Sequence, residues 1–138
     1  MIAEWTKRWG PAILIMAIIF IASATPGSDT PNFGAWDVLI KKAGHMLGYA
    51  LLAAAYFRAL SWRPQAARTQ LIAAACLALC YAASDEFHQK FVPGRTSSIY
   101  DILVDMTGAA IGIALLSWSR KKSGIRSQKS ASPAAEPD

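Results

Sequence analysis

The chain has 138 residues, enough for one domain, and 54% of them are hydrophobic while only 17% are charged. Soluble domains carry about 25% charged residues, so this composition argues against an ordinary soluble protein. The net charge is +5, but the sequence has no basic patch with interleaved aromatic residues. This argues against nucleic acid as a partner, and the basic excess favours attraction to membrane lipids instead.

The first two apolar blocks predict helices over residues 10–24 and 43–60. Pro11 suits the first turn of the first helix, where a missing N–H does no harm. The second block is apolar apart from His45 and Tyr49, which lie four residues apart and therefore on one face of a helix.

The third and fourth blocks predict helices over residues 71–92 and 99–118. The third helix is expected to stop before Pro93, which is followed by glycine and makes a strong turn signal. Ser98 and Asp101 form an S-x-x-D capping box at the start of the fourth helix, in which each side chain binds the other residue's backbone N–H.

None of the four blocks shows the wide polar face of a helix on a soluble protein. Gly108 and Gly112 form a G-x-x-x-G pattern, which is typical of closely packed membrane helices. We therefore predict an all-α fold, a four-transmembrane-helix bundle over residues 1–118, rather than a buried all-α soluble domain. Residues 119–138 are basic and then rich in Ser, Ala and Pro, and they predict a disordered cytoplasmic tail.

The distribution of lysine and arginine predicts the orientation in the membrane. Both termini and the middle loop lie on one side of a four-span protein and hold ten of the fourteen basic residues, so both termini are expected to be cytoplasmic. The first block also has a second interpretation, because basic residues before it and Ala22-Ser23-Ala24 after it resemble a signal peptide with its cleavage site.

Polar side chains recur at the outer ends of three predicted helices, where charged groups are costly and mark a functional site by default. The three pairs, each spaced by one helical turn, are His45 and Tyr49, Asp85 and Gln89, and Asp101 and Asp105. We expect them to meet in one pocket that opens to the extracytoplasmic side.

Simpler roles compete for several of these residues. His45 could bind a backbone carbonyl, Tyr49 could anchor its helix at the interface, and Asp101 could serve only as a cap. Glu86 and Lys90 are spaced for a surface ion pair. Asp105 lies well inside its apolar block, and a purely solvated role is hardest to assign there.

Arg95 follows the Pro-Gly turn and precedes a helix start, where backbone N–H groups favour anions. Arginine binds phosphate and carboxylate groups with two hydrogen bonds. Arg95 therefore predicts a site for a lipid phosphate or a cell-wall precursor, or else an ion pair with Asp85 or Asp101.

Two motifs in these segments resemble those of the VanZ-like family of bacterial membrane proteins. The first, K-x-x-H-x-x-x-Y, and the second, D-E-x-x-Q-x-x-x-P-G-R with a following serine and D-x-x-x-[ND]-x-x-G, are matched here by KAGHMLGY and DEFHQKFVPGRTSSIYDILVDMTG. The chain departs from the family pattern with Lys41, where aspartate is frequent, and with Asp105, where asparagine is frequent.

The resemblance implies an inner-membrane protein of the bacterial cell envelope, in a family associated with antibiotic resistance to teicoplanin. From the outward polar cluster we predict binding or modulation of an envelope lipid, a phosphate-bearing precursor or a glycopeptide, with no cofactor. The ligand-binding residues expected from the motifs are Lys42, His45, Tyr49, Asp85, Glu86, Gln89, Arg95, Ser98, Asp101 and Asp105.

An intramembrane enzyme acting on a lipid head group is the alternative to a binding protein. In that case His45, Asp85 or Asp105 would be the general acid or base. A divalent ion held by the same three residues is conceivable, but no helix carries a strong metal-binding pair. An ion-linked transporter subunit is a third, less favoured hypothesis.

Overall fold

A computed structural model describes residues 2–61 and 67–131, with side chains described up to residue 122. The described residues form four helices and no strand: α1 (Ile2–Ala24), α2 (Asp37–Leu60), α3 (Ala67–Gln89) and α4 (Ile99–Ala131). Each contains a segment long and apolar enough to cross a membrane. The predicted four-transmembrane-helix bundle is therefore confirmed.

The bundle carries large apolar side chains on its outside and buries several polar side chains within a mostly apolar core. Leu14, Leu51 and Leu115 are among the exposed large apolar residues, as expected for surfaces that contact lipid. The buried polar residues are Ser23, Gln70, Asp85, Glu86, Gln89 and Asp105. Since each buried polar group needs a partner in a medium without water, this interior is the place to look for a built site.

Helix α2 contacts all three other helices, and its closest approach is to α4. A Cβ atom added to Gly108 would lie 2.0 Å from the carbonyl oxygen of Met46, and one added to Gly112 would lie 2.0 Å from that of Ala50. The two glycines therefore bring the backbones of α4 and α2 into direct contact, as the G-x-x-x-G pattern predicts.

Helix α1 begins at Ile2, well before residue 10, so the prediction that Pro11 stands in the first turn is wrong. Inside a helix, proline leaves the carbonyl four residues earlier without its N–H donor. Here that carbonyl belongs to Lys7, and the Nη2 atom of Arg58 on α2 donates to it at 2.9 Å. An arginine of the neighbouring helix thus replaces the missing backbone hydrogen bond.

This replacement predicts an energetic coupling between Arg58 and Pro11. Arg58→Ala should lower the free energy of unfolding by about 1–2 kcal/mol, because it leaves the Lys7 carbonyl without a donor. In a Pro11→Ala background the restored N–H serves that carbonyl, and the same substitution should cost markedly less. Thermal unfolding of the four proteins in detergent, followed by circular dichroism, measures the coupling, and equal costs in both backgrounds would contradict it.

Helix α4 continues past Trp118, where the sequence predicts the tail to begin, and ends at Ala131. The rest of the predicted tail, residues 132–138, lies outside the described residues, and its disorder stays a prediction. Helices α2 and α4 are also in contact at the end that the sequence predicts to be cytoplasmic. Arg120 of α4 donates to the hydroxyl of Ser61, which follows α2, and it lies over the ring of Phe57.

Candidate functional site

The two loops at one end of the bundle are joined by their backbones. The N–H of Gly27, after α1, donates to the carbonyl of Pro93 at 3.0 Å, and a Cβ atom on Gly27 would lie 2.2 Å from the carbonyl oxygen of Gly94. Gly94 has a φ of +73°, which side chains rarely tolerate. The sequence analysis singled out the Pro-Gly turn but missed Gly27, whose role depends on a segment far away in the chain.

Arg95 strengthens this junction, in a role that the sequence analysis did not predict. Its Nε atom donates to the carbonyl of Thr25 at 3.1 Å, and its Nη2 atom donates to the carbonyl of Ala22. These are carbonyls at the C-terminal end of α1, where the helix itself supplies no donors. Among the described residues Arg95 pairs with neither Asp85 nor Asp101, so the predicted ion pair is wrong.

Glu86 binds the loop between α3 and α4 from the interior of the bundle. Its buried carboxylate accepts hydrogen bonds from the hydroxyl of Ser97 at 2.8 Å and from the backbone N–H of Ser98 at 3.0 Å. The predicted surface ion pair with Lys90 is therefore wrong. The predicted capping box is wrong: the Ser98 hydroxyl caps α4 by accepting from the N–H of Tyr100 instead of that of Asp101, and Glu86 instead of Asp101 accepts from the N–H of Ser98.

Asp101 instead forms an ion pair with Lys42, which joins α4 to α2 at the same end of the bundle. The neighbouring Lys41 pairs with Asp37 on its own helix at 2.8 Å and also donates to the hydroxyl of Thr30. All four charged side chains are partly exposed. Two lysines, each in an ion pair with a carboxylate, therefore lie around the cleft at this end of the bundle.

His45 and Asp105 meet deeper in the bundle. The Nδ1 atom of His45 lies 3.7 Å from the Oδ1 atom of Asp105, whose side chain is 1% exposed. The other carboxylate oxygen, Oδ2, is buried and has no hydrogen-bond partner among the described residues. Because an unpartnered buried acceptor is costly, this oxygen is a natural place for a donor from outside the chain.

Asp85 belongs to a second cluster. Its Oδ2 atom accepts from the Ser23 hydroxyl at 2.8 Å and from Nε2 of Gln89 at 3.0 Å. Tyr49 is fully buried, and its ring packs against that of Tyr81. The hydroxyl of Tyr49 has no partner among the described residues. The sequence indicates no role in this cluster for Ser23 and suggests only that it is part of a possible cleavage site.

The two clusters do not form a metal centre. In residues 2–61 and 67–131, no group of three or more His, Cys, Asp and Glu side chains could hold a metal ion. The arrangement of His45, Asp85 and Asp105 as joint ligands of a divalent ion is therefore not realised. The expected single pocket is instead a cleft around His45 and Asp105, and the buried Asp85 lies beside it, joined to it through Gln89.

The cleft has a volume of about 360 Å³ and lies where the two loops meet the ends of α2, α3 and α4. Seven of the residues predicted to bind a ligand line it: Lys42, His45, Glu86, Gln89, Arg95, Asp101 and Asp105. Tyr49, Asp85 and Ser98 do not line it. Lys41, which the sequence analysis noted only as a departure from the family pattern, does.

Comparison with known proteins agrees with this architecture. The model of the VanZ/LLP1 family matches residues 9–120, which include α2 and α3, most of α1 and α4, and both motifs. No curated protein and no solved structure is detectably similar to the chain. The protein is therefore a multi-pass membrane protein that belongs to the VanZ-like family.

Proposed function

We propose that this protein binds the polar head group of a phosphate-bearing lipid or lipid-linked precursor of the cell envelope. The observation that carries the proposal is the cleft of about 360 Å³ at one end of a transmembrane bundle, lined by charges of both signs. A pocket of this size suits a small polar group rather than a large folded partner. Its position at the end of the helices is the depth at which lipid head groups lie.

The distribution of charge within the cleft supports a head group with two kinds of polar atoms. Lys41 and Lys42 line the cleft with partly exposed side chains and can attract a phosphate. Asp105 lines the same cleft, and its buried Oδ2 atom has no donor among the described residues, so a hydroxyl or an ammonium group that reached it would supply one. A phosphate ester with a hydroxyl or amine meets both requirements.

The orientation is part of the same proposal. The cleft lies at the end of the bundle opposite Lys7, Arg58 and Arg120. Ten of the fourteen basic residues belong to the termini and the middle loop, and this bias favours a cytoplasmic location for that end. The cleft would then face the extracytoplasmic side of the inner membrane, where envelope lipids and their precursors are exposed.

Two substitutions in one ion pair should change binding in opposite directions. Lys42→Gln removes a cation from the cleft and should weaken binding of phosphatidylglycerol about tenfold, equal to about 1.4 kcal/mol. Asp101→Asn releases Lys42 from its carboxylate and should strengthen the same binding. Titration of the purified protein with phosphatidylglycerol, followed by native mass spectrometry, measures both effects.

The matched control is Lys7→Gln, which removes a lysine from an exposed ion pair with Glu4 at the other end of the bundle. It should leave binding unchanged. Phosphatidylethanolamine, a polyprenyl phosphate and teicoplanin, added as competitors, identify the preferred class of ligand. Equal binding of phosphatidylglycerol by Lys42→Gln, Asp101→Asn and Lys7→Gln would contradict the proposal, because the cleft would then take no part in lipid binding.

A second function, chemistry on the bound head group, is favoured by one observation. His45 lies beside the buried Asp105 at the floor of the cleft, and a carboxylate next to a histidine can orient it as a general acid or base. Incubation of the protein with lipid phosphates, followed by analysis of the products, tests this function. Turnover that disappears in His45→Gln would support it, and no turnover in the unchanged protein would exclude it for those substrates.

A further inference from the structure

We infer that the hydrocarbon chain of the bound amphiphile leaves the cleft through an apolar groove between α1 and α2. The inference rests on the proposed function, because it assigns the tail of the ligand whose head group occupies the cleft. The groove has a volume of about 390 Å³, and its walls are almost entirely apolar. Ile18, Phe33 and Gly44 are among the residues that form these walls.

The groove and the cleft are adjacent. Four residues, Thr30, Lys41, His45 and Arg95, line both. A molecule that spans the two cavities therefore passes from a mixed-charge environment to an apolar one within the width of a few side chains. That order of polarity matches a head group followed by a hydrocarbon chain, and it matches neither a free polar solute nor a fully apolar ligand.

The groove is open because one position on α2 has no side chain. A Cβ atom added to Gly44 would meet nothing within 4 Å, whereas one added to Gly48, one turn further along, would already lie 3.3 Å from Ile19. Helices α1 and α2 are thus in contact at Gly48 and separated at Gly44. The separation faces the membrane, since Ile18 at its edge is 58% exposed.

A lipid chain is the occupant that this geometry favours. The opening lies on the surface of the bundle that contacts lipid, next to a cleft at head-group depth, and apolar walls facing hydrocarbon gain dispersion contacts when a chain fills them. A helix of a second protein would be too wide to enter a space of about 390 Å³ between two helices of the same bundle.

Gly44→Leu provides the test, because a Cβ atom at this position meets nothing within 4 Å and the rest of the leucine side chain would occupy the groove. The probe is phosphatidylglycerol with a photoreactive diazirine in its acyl chain, presented in phosphatidylcholine nanodiscs. In the unchanged protein, cross-links should concentrate on the segments around Ile18 and Gly44. In Gly44→Leu, cross-linking of these segments should fall on the order of tenfold.

Two controls make the result specific. Gly10→Leu adds the same side chain to α1 at the opposite end, where the nearest atom to a new Cβ is 3.9 Å away, and it should leave the cross-links in place. Ile18→Trp narrows the groove from the other helix and serves if Gly44→Leu is not recovered as a monodisperse protein. Cross-links spread evenly over all outward faces, insensitive to both groove variants, would overturn the inference.

Failure of the inference can be told apart from failure of the proposed function. Glycerol phosphate has a head group but no chain, and its binding reports on the cleft alone. If it binds in a manner that depends on Lys42 while the groove shows no cross-links, the chain takes another path and the head-group site stands. If neither the cleft nor the groove responds, both proposals are wrong.

Discussion

Gly112→Val is expected to prevent recovery of the folded bundle. The valine Cβ would lie 2.0 Å from the carbonyl oxygen of Ala50, which is backbone and cannot rotate away. Helices α2 and α4 would have to separate along the contact that joins them most extensively. Overpacking of this kind costs about 1–3 kcal/mol where side chains can move and more where they cannot. Size-exclusion chromatography after mild detergent extraction measures the loss.

Gly10→Ala is the matched control for this substitution. It also adds a side chain to a glycine within a helix, but its new Cβ would be 3.9 Å from the nearest atom, an ordinary contact. Since alanine is favoured over glycine in helices by about 0.5–1 kcal/mol, this variant should be unchanged or slightly more stable. A monodisperse Gly112→Val protein with unchanged thermal stability would show that α2 and α4 are not packed at this glycine.

Glu86→Ala is expected to release the α3–α4 loop and with it one wall of the cleft. The substitution leaves the backbone N–H of Ser98 without its acceptor and leaves the Ser97 hydroxyl with only the backbone carbonyl of residue 86, at a cost of about 1–3 kcal/mol. This cost lowers the free energy of the local opening that exposes the Ser98 amide. Deuterium exchange at that amide should therefore accelerate by one to two orders of magnitude. Hydrogen exchange with mass spectrometry of the loop peptides measures the change.

Glu86→Gln separates the hydrogen bonds of Glu86 from its charge. The amide keeps one oxygen that can accept from Ser98, so exchange at that amide should stay close to that of the unchanged protein. If both variants exchange at the same rate as the unchanged protein, Glu86 does not hold the loop. If both accelerate equally, the charge rather than the acceptor geometry is what matters.

Four helices and their apolar faces could be predicted from composition and blocks of hydrophobicity, because a membrane span is a local property of some twenty consecutive residues. The close packing at Gly108 and Gly112 could be predicted as well, since the spacing of small residues is read along one helix. The start of α1 could not. Its first residues are too polar to extend the apolar block, and nothing local shows that Arg58 supplies what Pro11 lacks.

The candidate site shows the same division. The spacing of His45, Asp101 and Asp105 placed all three near one end of the bundle, and the structure brings them to one cleft. Asp85 was expected in the same pocket, yet it bonds to Ser23 and lies outside the cleft. Which face of α3 turns toward α1 depends on how the helices rotate against one another, and that information is not contained in residue spacing.

By itself, the sequence determined the number of membrane helices, the end of the bundle at which the polar residues gather and the family motifs that they form. Only the tertiary structure decided which groups interact. Arg95 donates to a carbonyl at the end of α1, Glu86 accepts from the α3–α4 loop, and Lys42 forms an ion pair with Asp101. The physical reason is that hydrophobic periodicity is a property of one segment. A hydrogen bond between segments depends on the distance and direction of two groups that are far apart in the chain.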